Sequence, residues 1–377
     1  DRLAERNAVF GDGFGLEAAL WFQKEGEQPV EEITFGRSNA WEQVRAETLA
    51  VRSSVGMWET TGFSKFRFMG SGARRYLDRL LAGRIPNSGR MSLTPMTNPA
   101  GNLIGDLTVA TLGAALGVAD GPETTTTGGA TGNVRHGEEF ILFGSGIAER
   151  YYERWFDQHL PSDGSVRYET LGFEMAGLSI AGPNARALLE KVTGADVSQN
   201  GMRFMSFTEI NIGLAPVWCG RVTFTGDLGY EFWMPARYQR YVHEQLMDAG
   251  EEFGLRMFGL HALNSLRLEK GFGSWAREYR PIYDPFEANL GRFIQMDKDF
   301  IGRDALASKY AEGGPGASVA LLTFTVESDA GREGVDVIGD EPIWHDGGVV
   351  GWVTSGGYAH HSEVSVAMGY VPAALAE

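Results

Sequence analysis

A single cysteine, Cys219, stands in a chain of 377 residues. That excludes an intramolecular disulfide framework and fits a reducing compartment, expected here to be the cytoplasm. There is no Cys-x-x-Cys and no histidine pair at helical spacing. The adjacent His360 and His361 would point to opposite faces of a strand. No structural metal is expected. No run approaches the ~18 apolar residues of a membrane helix, and no signal peptide is visible at the start. Positive charge is also scarce: 33 Lys and Arg face 49 Asp and Glu, a formal net charge of -16. That argues against a nucleic-acid or anionic-membrane partner. An anionic small ligand would need local cations in its own pocket. A Walker loop and a Gly-x-Ser-x-Gly elbow are both missing. Residues 140–149 imitate a dinucleotide loop, but Glu149 occupies the third glycine position and would repel a pyrophosphate. The chain begins at Asp1 rather than Met, which leaves room for a further N-terminal part.

What is present is an ordinary globular composition, 43% hydrophobic and 22% charged, long enough for two or three domains. Residues 1–35 mix glycine with aromatics (Phe10, Trp21, Phe22) and read as a linker-like segment strapped over another surface. Apolar spacing predicts helices over 40–56, 72–82 and 147–160, with strands at 62–68, 104–112 and 139–143. The same order recurs: a strand at 175–181, a helix from Pro183, three strand-like runs, and a helix carrying Tyr241, Val242 and Leu246. Gly70-Ser71-Gly72-Ala73-Arg74 parallels Gly182-Pro183-Asn184-Ala185-Arg186. The expectation is an α+β fold with two split-βαβ (ferredoxin-like) halves, about 36–165 and 166–290, around a central pocket. Short strands after residue 305 add a small all-β domain, placed at 291–377. The Gly/Thr/Ala-rich tract between Leu112 and Gly137 has little to bury and is expected to be a mobile surface loop.

The chemistry is expected around residues 98–109. A turn at Asn98-Pro99-Ala100-Gly101-Asn102 precedes an apolar strand interrupted by Gly105 and Asp106. A carboxylate inside an apolar strand is costly unless it is paired, hydrogen-bonded or used. The bland alternative is an edge strand with Asp106 facing solvent and Gly105 forming a bulge.

Several stretches together match one family: Asn98-Pro99-Ala100-Gly101 with Gly105-Asp106-Leu107-Thr108-Val109, then Gly226-Asp227-Leu228-Gly229-Tyr230-Glu231. Ser265-Leu266-Arg267-Leu268-Glu269-Lys270-Gly271, Pro285-Phe286-Glu287-Ala288 and Asp297-Lys298-Asp299-Phe300-Ile301-Gly302-Arg303-Asp304 follow in order. The chain resembles the tetrahydrofolate-dependent aminomethyltransferases, the T-protein family of the glycine cleavage system. Within it, the chain looks most like the folate-binding C-terminal half of dimethylglycine and sarcosine dehydrogenases. The resemblance implies a central folate pocket, a C-terminal β-barrel and one-carbon transfer from a methylated amine or its iminium to tetrahydrofolate. It implies Asp106 as the catalytic carboxylate, with Glu231, Arg267, Tyr230 and Trp275 around the cofactor. The bland readings stay open beside these: a surface strand carboxylate for Glu231, a helix C-terminal cation for Arg267, core aromatics for Tyr230 and Trp275. Phe224 departs from a tyrosine common in close relatives. FAD enters only through a separate or missing flavin oxidase domain or subunit. A non-catalytic folate-binding module and a demethylase of another methyl donor are the alternatives.

Overall fold

The computed structural model describes residues 2–13, 16–112, 138–328 and 334–376. The Gly/Thr-rich tract falls outside the described residues. The chain opens with a hairpin, β1 (Ala8–Gly13) and β2 (Leu16–Phe22), so the strap expected from the composition is a pair of strands. Helix α1 (Trp41–Ser53) turns Val44, Glu47, Thr48 and Val51 inward at helical spacing. Strand β3 (Gly56–Glu59) follows.

Two repeated units come next. The first is β4 (Ser64–Met69), α2 (Ala73–Leu80), β5 (Arg90–Thr97), β6 (Leu103–Thr111), β7 (Phe140–Gly144), α3 (Glu149–His159) and β8 (Arg167–Thr170). The second is β9 (Met175–Ala181), α4 (Ala185–Val192), β10 (Phe207–Ile212), β11 (Ala215–Gly220), β12 (Gly229–Pro235), α5 (Ala236–Gly250) and β13 (Arg256–Met257). The first sheet runs β5-β6-β7-β4-β8. The second runs β10-β11-β12-β9-β3-β13, the same plan with β3 inserted. Each half therefore carries a closing strand, β8 or β13, beyond what the sequence periodicity indicates, and the first half also gains the meander strand β5. The boundary between the halves also shifts, because β8 ends at Thr170 inside the first sheet.

The repeat is visible down to the backbone. Gly70 (φ 113°) and Gly182 (φ 133°) each end the first strand of their half in a conformation that L side chains rarely adopt. A Cβ on Gly70 would lie 2.3 Å from the Ser165 carbonyl oxygen, and one on Gly182 would lie 2.4 Å from that of Ser54. In both turns the amide three residues on closes the loop, Ala73 onto Gly70 and Ala185 onto Gly182.

Helices α2 and α3 cover one face of the first sheet, where Tyr76, Leu77, Tyr152 and Phe156 bury Phe66, Phe68 and Leu107. Helices α4 and α5 cover the second sheet through Leu188, Leu189, Val242 and Leu246. Between the uncovered faces lies an aromatic layer that joins Phe143 to Phe207 and Trp233. The chain continues through α6 (Leu260–Leu268), a connector, and α7 (Arg303–Lys309) to β14 (Val319–Val326), β15 (Pro342–His345), β16 (Gly348–Ala359) and β17 (Val364–Pro372). These last strands form an antiparallel sheet in the order β14-β17-β16-β15. Residues 291–309, expected with this C-terminal unit, instead pack on the first half. Ile294, Phe300 and Leu306 meet Ala82, and Gln295 donates its amide to the Ala82 carbonyl.

Candidate functional site

The Asn98 turn begins the site. Asn98 Oδ1 accepts the amides of Ala100 at 2.9 Å and Asn102 at 3.1 Å, and Gly101 takes φ 85°. This side-chain mimicry of a backbone turn joins β5 to β6. In β6, Leu103 pairs with Thr97 and Gly105 with Met96, so Ile104 is an extra residue in the ladder. Its carbonyl is taken by the Trp275 indole N–H at 3.2 Å. Gly105 is needed here because a Cβ would lie 2.7 Å from the Tyr152 ring. The edge-strand reading of Asp106 does not hold, since β6 lies between β5 and β7.

Asp106 on β6 and Glu231 on β12 line one cavity of about 1500 Å³ between the two sheets. The N-terminal hairpin, the turn after β3 and the stretch after α6 close its sides through Leu20, Phe63 and Trp275. Both carboxyls are half-buried: they open onto the cavity, while its walls hold bulk water away. Burial pushes Asp106 up to about 7, a hydrogen bond from its own backbone opposes the shift, and nearby Glu278 adds to it. Burial alone pushes Glu231 up to about 8. No cation or hydroxyl among the described residues compensates either one. Three cationic side chains do reach the cavity: Arg90, Lys270 and Arg292.

Of the five residues singled out from sequence, the structure brings three to the cavity: Asp106, Glu231 and Trp275. Tyr230 is not among its lining residues. Successive strand residues face opposite sides, so Tyr230 points into the helix-covered core while its neighbour Glu231 faces the cavity. Its hydroxyl donates to the Val197 carbonyl at 3.3 Å and accepts from Arg186 Nε at 3.2 Å. Arg267 does not reach the cavity either. It is buried, with its guanidinium donating to Asn264 Oδ1, the Phe272 carbonyl and Glu278. Sequence reasoning missed β5, whose Met91 and Leu93 line the cavity; its one signal is the alternation of residues 90–94. Cys219 is a buried free thiol, as its strand position suggests. Among the described residues no group of His, Cys, Asp and Glu could hold a metal ion. No helix there is long and apolar enough to cross a membrane.

A doubled α+β unit enclosing one cavity, followed by a small β domain, defines the architecture, and comparison with known proteins gives its family. The model of the GCVT N-terminal domain matches residues 1–118 and 131–298, and that of the glycine cleavage T-protein C-terminal barrel domain matches 320–377. The chain belongs to this T-protein, or aminomethyltransferase, family. Mitochondrial dimethylglycine dehydrogenase of Mus musculus is 34% identical over 366 residues, which are 96% of this chain and 39% of that protein. The chain thus spans about two fifths of that relative's length. The aminomethyltransferase of Halothermothrix orenii is 29% identical over 328 residues, 86% of this chain and 82% of that one. The crystal structure of glycine cleavage system aminomethyltransferase T from Bartonella henselae shares the fold. It has a TM-score of 0.76 and 21% identity, and the match covers 98% of this chain and 88% of that one. The mouse relative is mitochondrial by name, so a reducing compartment does not choose between the cytoplasm and the mitochondrial interior.

Proposed function

We propose that this chain is a tetrahydrofolate-dependent one-carbon transferase. It moves a carbon from a methylated amine, or its iminium, to tetrahydrofolate and yields 5,10-methylenetetrahydrofolate. The observation that carries this reading is the pair of uncompensated carboxyls, Asp106 and Glu231, facing one cavity from two sheets.

The cavity fits the acceptor's chemistry. Its volume exceeds the ~300–1000 Å³ of ordinary ligand pockets, which leaves room for a pterin and a donor together. Donors brought by a pterin would favour the ionised form of Glu231, whose two oxygens match two N–H groups side by side. Phe224 and Trp275 offer flat apolar surface to the ring, and Arg90, Lys270 and Arg292 suit an anionic glutamate tail. When bound, the folate supplies two nucleophilic nitrogens, N5 and N10. Asp106, ionised near neutral pH, accepts the hydrogen released at the attacking nitrogen and stabilises positive charge on the one-carbon unit. It returns that hydrogen to the departing amine and relays the hydrogen of the second nitrogen in the same way on ring closure, so the amine leaves protonated, carrying both N–H hydrogens lost from the acceptor. Forming the iminium from a methylated amine requires a two-electron acceptor. A flavin oxidase domain or subunit carrying FAD is the proposed source. The dehydrogenase name of the mouse relative, and the length of that protein beyond the match, support this.

The test is Asp106→Ala on the whole chain, with calorimetry for tetrahydrofolate binding and product analysis after turnover with a panel of methylamines, a separate flavin amine oxidase being added as the two-electron acceptor that forms the iminium. Transfer should fall by roughly 10²–10⁴-fold while binding persists. Undiminished transfer would refute the catalytic role. Binding without turnover in the unaltered chain while that oxidase supplies the iminium would make it a folate-binding module, and methyl-tetrahydrofolate as product would make it a demethylase.

A further inference from the structure

Behind the cavity wall lies a carboxylate that this reaction does not touch. Glu278 is fully buried. Its Oε1 accepts hydrogen bonds from Thr354 Oγ1 at 2.7 Å and from Ser355 Oγ, both on β16. Its Oε2 accepts from the Ser274 amide at 2.8 Å, Ser274 Oγ at 3.3 Å and Arg267 Nη1 at 3.3 Å. One carboxylate joins the C-terminal sheet, helix α6 and the turn at 272–279. A buried charge is tolerated only when donors surround it in this way.

The turn itself is tight. The amides of Glu278 and Tyr279 both donate to the Ser274 carbonyl at 3.1 Å, and the Gly273 amide donates to Tyr279 Oη at 3.2 Å. Ala276 takes φ 68°, a conformation uncommon for a residue with a side chain. This turn is also cavity wall, through Ser274, Trp275 and Tyr279. Trp275 reaches on to the Ile104 carbonyl at the β6 bulge, two residues before Asp106. Contacts therefore run unbroken from β16 through Glu278 and the turn to the strand that carries the reacting carboxyl.

We propose that Glu278 is a positioning residue for Asp106. It anchors the 272–279 turn to the C-terminal sheet, and the turn fixes Trp275 against the bulge that sets Asp106 in the cavity. The inference rests on Asp106 being the acting carboxyl. The titratable groups near Asp106 are Glu278 and Tyr279 from the turn and Tyr152 from α3, with Arg267 behind Glu278. The negative charge of Glu278 raises the proton affinity of Asp106.

The test is a pH titration of Trp275 fluorescence, taken as the difference between the unaltered chain and Trp275→Phe. The signal should titrate near about 7 and vanish in Asp106→Asn. Glu278→Gln removes the charge and leaves only one strong acceptor oxygen for the donors that converge on Glu278. The midpoint should fall by about one pH unit, acrylamide quenching of Trp275 should rise, and kcat should drop about tenfold with KM unchanged. Thr354→Val keeps Glu278 but loosens its anchor, and should raise the quenching as well. If Glu278→Gln does not fold, the Thr354→Val result decides. An unchanged midpoint and unchanged quenching in the folded variants would overturn the proposal. Absence of folate turnover in the unaltered chain would remove the functional reading, while the fluorescence would still judge the positioning.

Discussion

Asp284 and Glu287 are buried carboxylates like Glu278, yet they live under conditions opposite to those of Asp106 and Glu231. Asp284 accepts Lys309 Nζ at 2.6 Å, the Tyr310 hydroxyl, and the amides of Phe286 and Glu287. Glu287 accepts Lys309 Nζ at 2.8 Å, both donors of Ser318, and the Asp284 amide. Burial works against the Glu287 carboxylate, but these donors outweigh it and hold the group below its usual range. In the cavity, burial wins and both carboxyls rise. The same chain thus saturates one buried acidic pair with donors and withholds them from another. Under the proposed function, the second pair meets donors that a ligand brings.

Breaking the saturated pair should have the larger effect on stability. Lys309→Met strips a shared cation from two buried carboxylates and should cost about 3 kcal/mol in urea denaturation. Asp106→Asn should leave stability unchanged or raise it by about 1 kcal/mol, since no native partner is lost. A destabilised Asp106→Asn would dissolve the contrast.

The pH dependence of stability should then split the two pairs. Asp106 and Glu231 have folded values raised above the ordinary 3.8 and 4.5. The folded chain holds protons there that the unfolded chain has released. Stability from these groups is therefore full at acid pH and is lost as pH climbs through about 7 and 8. The slope is on the order of 1 kcal/mol per pH unit per group. For Glu287 the sign reverses: its contribution is present above its ordinary value and is lost as pH falls through the lowered one. Asp106→Asn combined with Glu231→Gln should flatten the neutral-side decline and leave the acid-side loss untouched. Thermal melts from about pH 2 to 9 would show both. The smallest effect belongs to Phe224→Tyr, whose added hydroxyl meets the open cavity. Unfolding free energy should move by no more than about 0.5 kcal/mol.

These differences were unevenly visible in the residues themselves. Asp106 and Glu231 could be found because each interrupts an apolar strand with a carboxylate, and their motifs lie in family order. Tyr230 was misassigned although the strand period alone separates it from Glu231; adjacent residues cannot share a face. Strand β5 was overlooked; its Pro95 is accommodated because β5 is the edge strand of its sheet. The C-terminal strands were legible from their short apolar runs between glycines. Arg267 was not legible in the same way. Its buried partners include Glu278, which is itself held by Thr354 some 76 residues further along, and no local pattern reports such a contact.

Strand β3 has one more consequence. It lies between β9 and β13, paired antiparallel to the first and parallel to the second, although its sequence precedes the whole first half. The repeat therefore cannot be dissected by cutting the polypeptide at its midpoint. A fragment beginning at β9 would present a vacant slot bordered by two unpaired ladders, an invitation to a strand from a neighbouring molecule. Coexpressed halves would have to exchange a strand before either sheet was complete. What reads as two copies in series is, as a physical object, one interlocked body.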